Sequence, residues 1–387
     1  MKRIISCLTL ITMLLSVTPM ALANESTTAE LADKAKSAVL IERDTGTILY
    51  DKNSDEKLPP ASMTKIMTML LIMESLDKEQ ITWDEKVRTS EYAASMGGSQ
   101  IFLEPGEEMT VEQMLKGIAI GSGNDASVAM AEKIAGSVDE FVNMMNKKAE
   151  ELGLKNTHFK NPTGLPEADH YSSAHDMALM AKELLKYEEI TNFTGKYEDY
   201  LREGTDKKFW LVNTNRLVKF YPGVDGVKTG FTNEAKYCLT ATAKKDNMRV
   251  IAVVFGADTP KDRNAQVTKM LDYAFSQYQT HPLFEKDHVL TKTKVSKGSE
   301  KEVNVMTSEP ISVLTKKGEK VDDVEQEIVM KKDIKAPVKK GDELGALQLV
   351  KDGKVIAESE LVAEKDIDEA GWWTLFKRVM GNFTKSS

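Results

Sequence analysis

Cysteine is scarce in this chain, which has two among its 387 residues. Cys7 lies in a leader that we expect to be removed, and Cys238 is then the single thiol of the mature protein. An exported chain with one cysteine has no internal disulfide. The stability of the fold must therefore come from an apolar core.

The N-terminus has the three parts of a signal peptide. Positive charge at Lys2 and Arg3 precedes an apolar run over residues 4–17 and a small-residue site that ends at Ala23. We expect cleavage after Ala23, so that the protein is exported. An uncleaved anchor is the alternative, but the apolar run is short for a bilayer span and Pro19 interrupts it.

Positive charge is in deficit, with 52 Lys and Arg against 60 Asp and Glu and a net charge of −8. Removal of the two positive residues of the leader makes the mature chain still more acidic. An acidic protein of this kind is not expected to bind nucleic acid. Any attraction to an anionic surface must come from a local group of positive residues.

Such a group occurs in the C-terminal segment 369–387, which begins EAGWWTLFKRVMGNF. On a helix its apolar residues form one stripe that includes Trp372 and Trp373, with Lys377 and Arg378 beside it. The segment is too short and too charged to span a bilayer, but it suits an amphipathic helix lying in the interface. We predict peripheral attachment to the outer face of the cytoplasmic membrane. Docking of this helix on the preceding domain is the alternative.

The chain between the leader (1–23) and the tail changes texture once. Residues 33–280 alternate strand-like and helical segments, which predicts an α+β domain, and Thr259-Pro260 predicts the start of one of its helices. Residues 285–365 contain short β-prone runs separated by lysine- and glycine-rich turns, with no helical stretch. This pattern predicts a small all-β sandwich.

Histidine is also rare, with five residues in the chain. His170 and the pair His175-Asp176 are candidate metal ligands, but two histidines in one region do not make a catalytic zinc signature. A metallopeptidase is therefore the weaker interpretation. We expect neither a metal nor an organic cofactor.

The stretch PPASMTKIMTMLLIMESL, residues 59–76, has a lysine inside an otherwise apolar segment. Lys65 lies one helical turn after Ser62, and burying its ammonium would cost several kcal/mol. A serine that caps a helix does not need this neighbour, whereas a nucleophilic serine needs a base. Burial and a nearby cation can lower a lysine pKa by roughly 3 units, enough for base catalysis. From this motif alone, a helix cap and a nucleophile both remain open.

The Ser-x-x-Lys spacing occurs twice more, at Ser54/Lys57 and Ser75/Lys78. The first pair lies in a polar run and the second closes a helix. We interpret both as solvated surface.

Two further motifs carry polar groups to turns or strands. Lys228-Thr229-Gly230 precedes a strand-like run, and its glycine would let a ligand approach the backbone closely. A Ser-Gly-Asn turn between two predicted helices presents the hydroxyl of Ser122 and the amide of Asn124. Taken singly, the first motif would be a turn and the second a helix cap.

In this order, the three motifs are the signature of penicillin-binding proteins and class A β-lactamases. The chain resembles the low-molecular-mass penicillin-binding proteins, which are serine-type D-alanyl-D-alanine carboxypeptidases. The resemblance rests on PPASMTKIMT, GSGNDAS, NPTGLPE with HYSSAHD, and VDGVKTGFT. It implies a transpeptidase-like domain with an antiparallel sheet, flanking helices and a helical subdomain. The β domain and the tail match the usual layout of the family less specifically.

The resemblance implies a role for each matching residue. Ser62 would attack the carbonyl between the two terminal D-alanines of a peptidoglycan stem peptide, and Lys65 would take its proton. Ser122 and Lys228 would pass the proton to the leaving amine, and β-lactams would acylate Ser62. The backbone N–H groups of Ser62 and Phe231 would form the oxyanion hole. The substrate-binding residues would be Asn124, Lys228, Thr229, Gly230 and Phe231.

Two other functions compete with this one. A class A β-lactamase shares the acylation step but needs a glutamate, usually in a Glu-x-x-Leu-Asn stretch, and none occurs between Asn124 and Lys228. Gly123 also stands where those enzymes usually carry aspartate. A non-enzymatic cell-wall-binding protein is the third possibility, and it would have no reactive serine.

Overall fold

The computed structural model describes residues 30–319, 321, 324–351 and 353–373. The predicted signal peptide and most of the predicted anchor helix lie outside the described residues. The strands are β1 (Ser37–Glu42), β2 (Ile48–Lys52), β3 (Lys86–Arg88), β4 (Glu108–Thr110), β5 (Glu198–Leu201), β6 (Phe209–Val212), β7 (Val224–Thr232), β8 (Lys236–Lys245), β9 (Met248–Ala257), β10 (Tyr278–Phe284), β11 (Val289–Lys294), β12 (Glu302–Thr307), β13 (Ile311–Lys316), β14 (Glu325–Met330), β15 (Glu343–Lys351) and β16 (Lys354–Ala363).

The helices of the described chain are α1 (Lys65–Asp77), α2 (Glu91–Ala94), α3 (Val111–Ala119), α4 (Asn124–Ala135), α5 (Val138–Glu151), α6 (Ala174–Leu184), α7 (Thr191–Thr194), α8 (Leu217–Phe220) and α9 (Pro260–Gln277). Two single turns of 3-10 helix are also present, Ala61–Thr64 and Glu188–Ile190. The start of α9 agrees with its sequence signal, because the Thr259 hydroxyl accepts the N–H of Asp262 and Pro260 opens the helix.

The first domain is built on an antiparallel sheet of order β2-β1-β9-β8-β7. Strand β9 is buried along its whole length because both faces of the sheet are covered. Its side chains alternate between two cores. Ile251, Val253 and Phe255 face the helical subdomain, and Val250, Ala252 and Val254 face α9.

The helical subdomain is centred on α1, whose apolar residues are buried on all faces. Each large side chain buried in this way contributes about 1.5–3 kcal/mol relative to exposure. The predicted α+β fold, with an antiparallel sheet, flanking helices and a helical subdomain, is confirmed. Its consequence for function is that α1 carries Lys65 into the core at its first residue.

The second domain is all-β, as predicted. One sheet has the order β11-β12-β16-β15-β14, and β10 pairs with β13 in a second sheet. Strand β10 begins directly after α9 ends at Gln277. Because it pairs with β13, it belongs to the β domain. Within the described residues, no helix combines the length and the apolar character needed to cross a membrane.

Candidate active site

The Ser62 turn precedes α1 instead of capping it. Ala61–Thr64 form a 3-10 turn, α1 begins at Lys65, and neither helix start has a side-chain cap. The helix-cap interpretation of Ser62 is therefore wrong. Ala61 has φ +48°, which places the turn in a strained conformation just before the serine.

Lys65 is fully buried and its Nζ has three oxygen neighbours. It lies 2.6 Å from Asn124 Oδ1, 2.8 Å from the Thr163 carbonyl and 3.2 Å from Ser62 Oγ. A neutral amine donates two hydrogen bonds and accepts one. Donation to the amide and the carbonyl leaves the lone pair of Nζ for the hydroxyl hydrogen of Ser62.

The electrostatics of the site favour this neutral amine. Burial lowers the pKa of Lys65 well below its usual range, the Lys228 ammonium lowers it further, and Asp125 opposes both effects. Burial also lowers the pKa of Lys228 to about 7, with a contribution from Arg263. Lys228 is thus the nearby cation expected from the sequence to lower the pKa of Lys65.

The Ser-Gly-Asn turn lies between α3 and α4 and reaches Lys65 through Asn124. The second amide atom of Asn124, Nδ2, donates to the Gly97 carbonyl at 2.7 Å and retains one more hydrogen for a ligand. Ser122 is buried and has φ +61°, a conformation that is uncommon outside glycine. Within the described residues, no hydrogen bond joins its hydroxyl to Lys65 or Lys228.

Asp125 is a site residue that the sequence argument missed. Its carboxylate is buried and accepts the backbone N–H groups of Ile101, Leu103 and Ala126 at 2.9–3.1 Å. It thereby holds the loop 97–103, which also contacts Asn124 through the Gly97 carbonyl. The adjacent Asn124 drew attention as part of a motif, but an aspartate at a helix start gives no signal of such long-range contacts.

Strand β7 forms the opposite wall of the site. Lys228 and Thr229 are buried, whereas Phe231 is half exposed. A Cβ on Gly230 would lie 2.6 Å from the Pro60 carbonyl, so only glycine lets β7 approach the turn that carries Ser62. The Thr229 hydroxyl donates to that of Thr214 at 2.7 Å, a partner that the sequence did not indicate.

Arg263 supplies a second cation behind β7. It is 5% exposed, and burial lowers the pKa of its guanidinium to about 10. Its Nε donates to Asn264 Oδ1 at 3.0 Å, and within the described residues no carboxylate pairs with it. A buried guanidinium without an ion pair beside Lys228 makes this end of the site attractive to an anion.

The loop 160–171 lies against the Ser62 turn and the start of α1. Its carbonyl groups at Pro162 and Thr163 accept hydrogen bonds from Thr68 Oγ1 and Lys65 Nζ. Gly164 has φ +83°, and a Cβ there would lie 1.8 Å from the Ala61 carbonyl. The block NPTGLPE is therefore required for backbone contact with the Ser62 turn, a function that no side chain in it revealed.

The other candidate nucleophiles and the candidate metal ligands from the sequence form hydrogen bonds that serve the fold. Lys57 and Lys78 are exposed, as expected, but Ser54 and Ser75 are buried and not at the solvated surface, because their hydroxyls donate to Asp51 and to the Leu71 carbonyl. His170 bonds Thr64 Oγ1 at 2.8 Å and accepts the Lys160 N–H, while Asp176 accepts hydrogen bonds from Asn156 and Thr157. In the part of the chain that the structure describes, no three His, Cys, Asp or Glu side chains are grouped as metal ligands.

Comparison with known proteins extends the likeness to most of the chain. The D-alanyl-D-alanine carboxypeptidase model of peptidase family S11 matches residues 24–259, and that of the penicillin-binding protein 5 C-terminal domain matches residues 278–369. Over all 387 residues of both proteins, the chain is 70% identical to the D-alanyl-D-alanine carboxypeptidase DacF of Bacillus subtilis.

Solved structures agree. Penicillin-binding protein 5 from Haemophilus influenzae is 32% identical, with a TM-score of 0.67 over 87% of this chain and 98% of that one. Penicillin-binding protein D2 from Listeria monocytogenes, in its ampicillin-bound form, is 30% identical, with a TM-score of 0.57 over 62% of this chain and 98% of that one.

These matches confirm the resemblance, the fold and the predicted carboxypeptidase activity. They favour that activity over a β-lactamase and over a non-enzymatic wall-binding protein, because the model that spans the site is that of a peptidase. The chain belongs to the D-alanyl-D-alanine carboxypeptidases of peptidase family S11.

Proposed function

We propose that Ser62 is the nucleophile with which the protein removes the terminal D-alanine from peptidoglycan stem peptides. The observation that carries this proposal is the distance of 3.2 Å between Ser62 Oγ and Nζ of the buried Lys65. Oγ attacks the carbonyl carbon of the penultimate D-alanine while its proton moves to Nζ. The carbonyl oxygen becomes an anion held by the backbone N–H groups of Ser62 and Phe231.

Collapse of this intermediate breaks the peptide bond. The proton on Lys65 reaches the departing amine through Ser122, with Lys228 beside it, and free D-alanine leaves. Water then hydrolyses the ester on Ser62 and restores the enzyme. The free N–H of Asn124 binds the carbonyl of the stem peptide, and the carbonyl groups of Gly97 and Thr163 keep the Asn124–Lys65 pair in place.

The C-terminal carboxylate of the substrate binds at Thr229. This hydroxyl lies on β7 next to Lys228, and Arg263 lies behind them. Lys228 and Arg263 make this end of the site positive. The leaving D-alanine, which carries the carboxylate, therefore binds here, and the rest of the stem peptide extends past Gly230 and Phe231. An enzyme that recognises a free carboxylate in this position cleaves only the C-terminal residue, as a carboxypeptidase does.

β-Lactams acylate the same serine. A ring-opened penicillin presents a carboxylate and an acyl carbonyl in the places of the D-alanyl-D-alanine terminus. The residues that hold the substrate therefore hold the inhibitor, and the acyl-enzyme persists where water has slow access to the ester. No metal enters this scheme, since side chains carry the covalent step.

The protein acts outside the cytoplasm, where its substrate lies. The N-terminal sequence supports export, and the segment 369–387 supports peripheral attachment to the outer face of the cytoplasmic membrane. Trp372 and Trp373, at the start of that segment, are 71% and 64% exposed.

Labelling with a fluorescent penicillin tests the nucleophile. Wild-type protein should become covalently labelled, and mass spectrometry of a pentapeptide substrate should show loss of one alanine. Ser62→Ala should abolish both signals. Ser75→Ala is the matched control, because Ser75 shares the Ser-x-x-Lys spacing and lies on α1 but only bonds the Leu71 carbonyl; it should keep both.

Two results would overturn the assignment. Labelling of Ser62→Ala at the wild-type rate would place the nucleophile elsewhere. Loss of alanine release after chelation of divalent metals would indicate a metallopeptidase.

A further inference from the structure

The loop 97–103 supplies hydrogen-bond acceptors for Asn124 next to the reaction centre. The Ser99 carbonyl accepts the backbone N–H of Asn124 at 2.7 Å, and the Gly97 carbonyl accepts Nδ2 of its side chain at 2.7 Å. The other atom of that amide, Oδ1, accepts from Lys65. The place of the amide beside Lys65 therefore depends on the place of the loop.

Two charged side chains hold the backbone of this loop. Asp125 accepts the N–H groups of Ile101 and Leu103 at 3.0 and 3.1 Å. Arg202 donates to the carbonyl groups, through Nη1 to Ile101 and through Nη2 to Phe102, both at 3.0 Å. Since the Ile101 side chain is also fully buried, the loop has little freedom to shift while both partners are present.

Arg202 reaches the loop from the turn that follows β5. Its side chain is 10% exposed, and Nε and Nη2 also donate to the Glu107 carboxylate at 2.6 and 3.1 Å. Burial opposes the ionisation of Glu107, but the guanidinium keeps the pKa of that carboxyl below its usual value. One planar guanidinium thus serves a carboxylate and two carbonyl groups, an arrangement that a lysine ammonium does not reproduce.

The hairpin β5–β6 gives Arg202 a firm base. Leu211 on β6 is buried, and its Cδ2 would lie 2.9 Å from a Cβ on Gly121 in the α3–α4 turn. The ring of Phe209 meets that of Phe102 edge-on, with 5.6 Å between their centres. The hairpin therefore contacts both the turn and the loop, and Arg202 extends from it as a fixed support.

We infer that Arg202 is a positioning residue for acylation of Ser62. It holds the loop 97–103 where the loop orients Asn124, and the role of Ser62 in this inference rests on the proposed function. Without the guanidinium, Asp125 still holds two N–H groups, but the carbonyl groups lose their donors and the Asn124 amide loses its fixed place. A displacement of about 1 Å in a site slows catalysis by up to about 100-fold.

Removal of the guanidinium tests the inference. In Arg202→Asn, where asparagine tolerates the φ of +53°, labelling of the mature protein by a fluorescent penicillin should be about tenfold slower than in wild type. Lys207→Met is the matched control, because its exposed ammonium lies on the same turn and bonds the Glu104 carboxylate at 2.7 Å. The control should label within about twofold of the wild-type rate.

A second variant separates the support of the loop from the stability of the fold. Arg202→Asn leaves the Glu107 carboxylate without its ion pair, which destabilises the protein. The combined variant Arg202→Asn with Glu107→Gln removes that charge and should return the midpoint of thermal unfolding towards the wild-type value. Its labelling should remain about tenfold slow, because the Ile101 and Phe102 carbonyls still lack their donor.

A double-mutant cycle shows whether Arg202 acts through Asn124. Asn124→Ala removes the amide that the loop orients and should itself slow labelling strongly. Addition of Arg202→Asn should slow labelling by less than about twofold more, because the group that Arg202 positions is already gone. Independent roles would instead multiply the two losses.

The acid limb of the labelling profile is a readout that a purely structural role leaves unchanged. Lys228 on β7 and Asp125 on α4 are the charged groups that act on Lys65. Both remain in Arg202→Asn, as does the neutral Thr163 carbonyl. A loosened loop admits water to an amine whose pKa is lowered mainly by burial. The pKa should therefore rise, and the limb should move to higher pH by about half a unit in Arg202→Asn but not in the control.

The outcomes separate this role from the proposed function. A wild-type labelling rate in Arg202→Asn would overturn the positioning role and leave the nucleophile intact. Multiplied losses in the cycle with Asn124→Ala, or an acid limb that stays in place, would reduce Arg202 to a structural residue. Failure of the wild-type protein to react with penicillin would overturn the proposed function, and the inference with it.

Discussion

In the proposed mechanism Lys65 is the base, and its protonation is set by its neighbours. Its three oxygen contacts match a neutral amine that donates twice and accepts once. Burial is the larger cause of its lowered pKa and Lys228 the second. Because the two lysines interact, their titration belongs to the pair. The base is available at pH values above the pKa of Lys65 and is lost as the pH falls below it.

Substitution of Lys228 should therefore move the pH profile of acylation. In Lys228→Met the cation that lowers the Lys65 pKa is gone, so the acid limb of the profile should shift to higher pH by about one unit. Lys228→Arg keeps a permanent cation and should leave the limb near its wild-type position. The measurement is the second-order rate of penicillin labelling from pH 5 to pH 9.

Both variants alter a residue that is proposed to bind substrate, so the rate of labelling should fall in each. The quantity to compare is therefore the pH at the midpoint of the acid limb. An unchanged limb in Lys228→Met would mean that burial alone sets the pKa of Lys65. A shift of equal size in both variants would point to altered packing.

At the scale of elements, the site is a junction between α1, the α3–α4 turn, β7 and the loop 160–171. His170 joins this loop to the Ser62 turn through Thr64, and its Nδ1 accepts the Lys160 N–H, which makes Nε2–H the donor. Only the neutral imidazole can serve both partners. Its low pKa, caused mainly by burial and secondly by His158, keeps it neutral down to about pH 4.

Replacing His170 should loosen the loop without removing a reacting group. His170→Ala leaves the buried Thr64 hydroxyl without its partner, which costs about 1–3 kcal/mol, and removes the acceptor of the Lys160 N–H. We expect penicillin acylation to slow about tenfold, as Thr163 no longer holds Lys65 firmly, and the midpoint of thermal unfolding to fall by a few degrees.

His158→Ala is the control for His170. Its imidazole also bonds the backbone of this loop, at the Asp169 carbonyl, but it is only partly buried and does not contact the Ser62 turn. Its acylation rate should stay within about twofold of wild type. Equal rates for His170→Ala and wild type would show that the loop is held by its backbone contacts alone.

Features of these elements that depend on neighbouring residues in the sequence were predictable. Thr259-Pro260 indicated the start of α9, and a lysine in an apolar helix indicated a functional amine. The acceptors of that amine were not predictable, because the Thr163 carbonyl is 98 residues away and carries no side-chain signal. The contact between His170 and Thr64 spans 106 residues and was likewise hidden, so His170 looked like a candidate metal ligand.

At the scale of the whole molecule, the β domain is attached to the catalytic domain by more than a linker. Strand β10 follows α9 without a break, and Ser312 donates to Asp44 at 2.9 Å across the junction. Lys182 lies 3.5 Å from Glu309 in the same region. The residues of the candidate site all precede β10, so the β domain contributes no described side chain to it.

Removal of the tail tests the proposed attachment of the protein to a membrane. A variant that ends at residue 368 loses the tryptophan pair and the positive residues of the predicted interfacial helix. In sedimentation with anionic lipid vesicles, the mature wild-type protein should pellet and the truncated protein should stay in the supernatant. Both should react with penicillin at the same rate, because the described residues of the candidate site all precede β10.

A double substitution separates the tryptophans from the rest of the tail. Trp372→Ala with Trp373→Ala should weaken vesicle binding by about tenfold or more, since adjacent indoles supply much of the apolar face. Trp210→Ala is the control, because it removes an exposed tryptophan from β6 in the catalytic domain. If the truncated protein still pellets with the vesicles, a surface outside the tail binds the membrane and the predicted anchor is wrong.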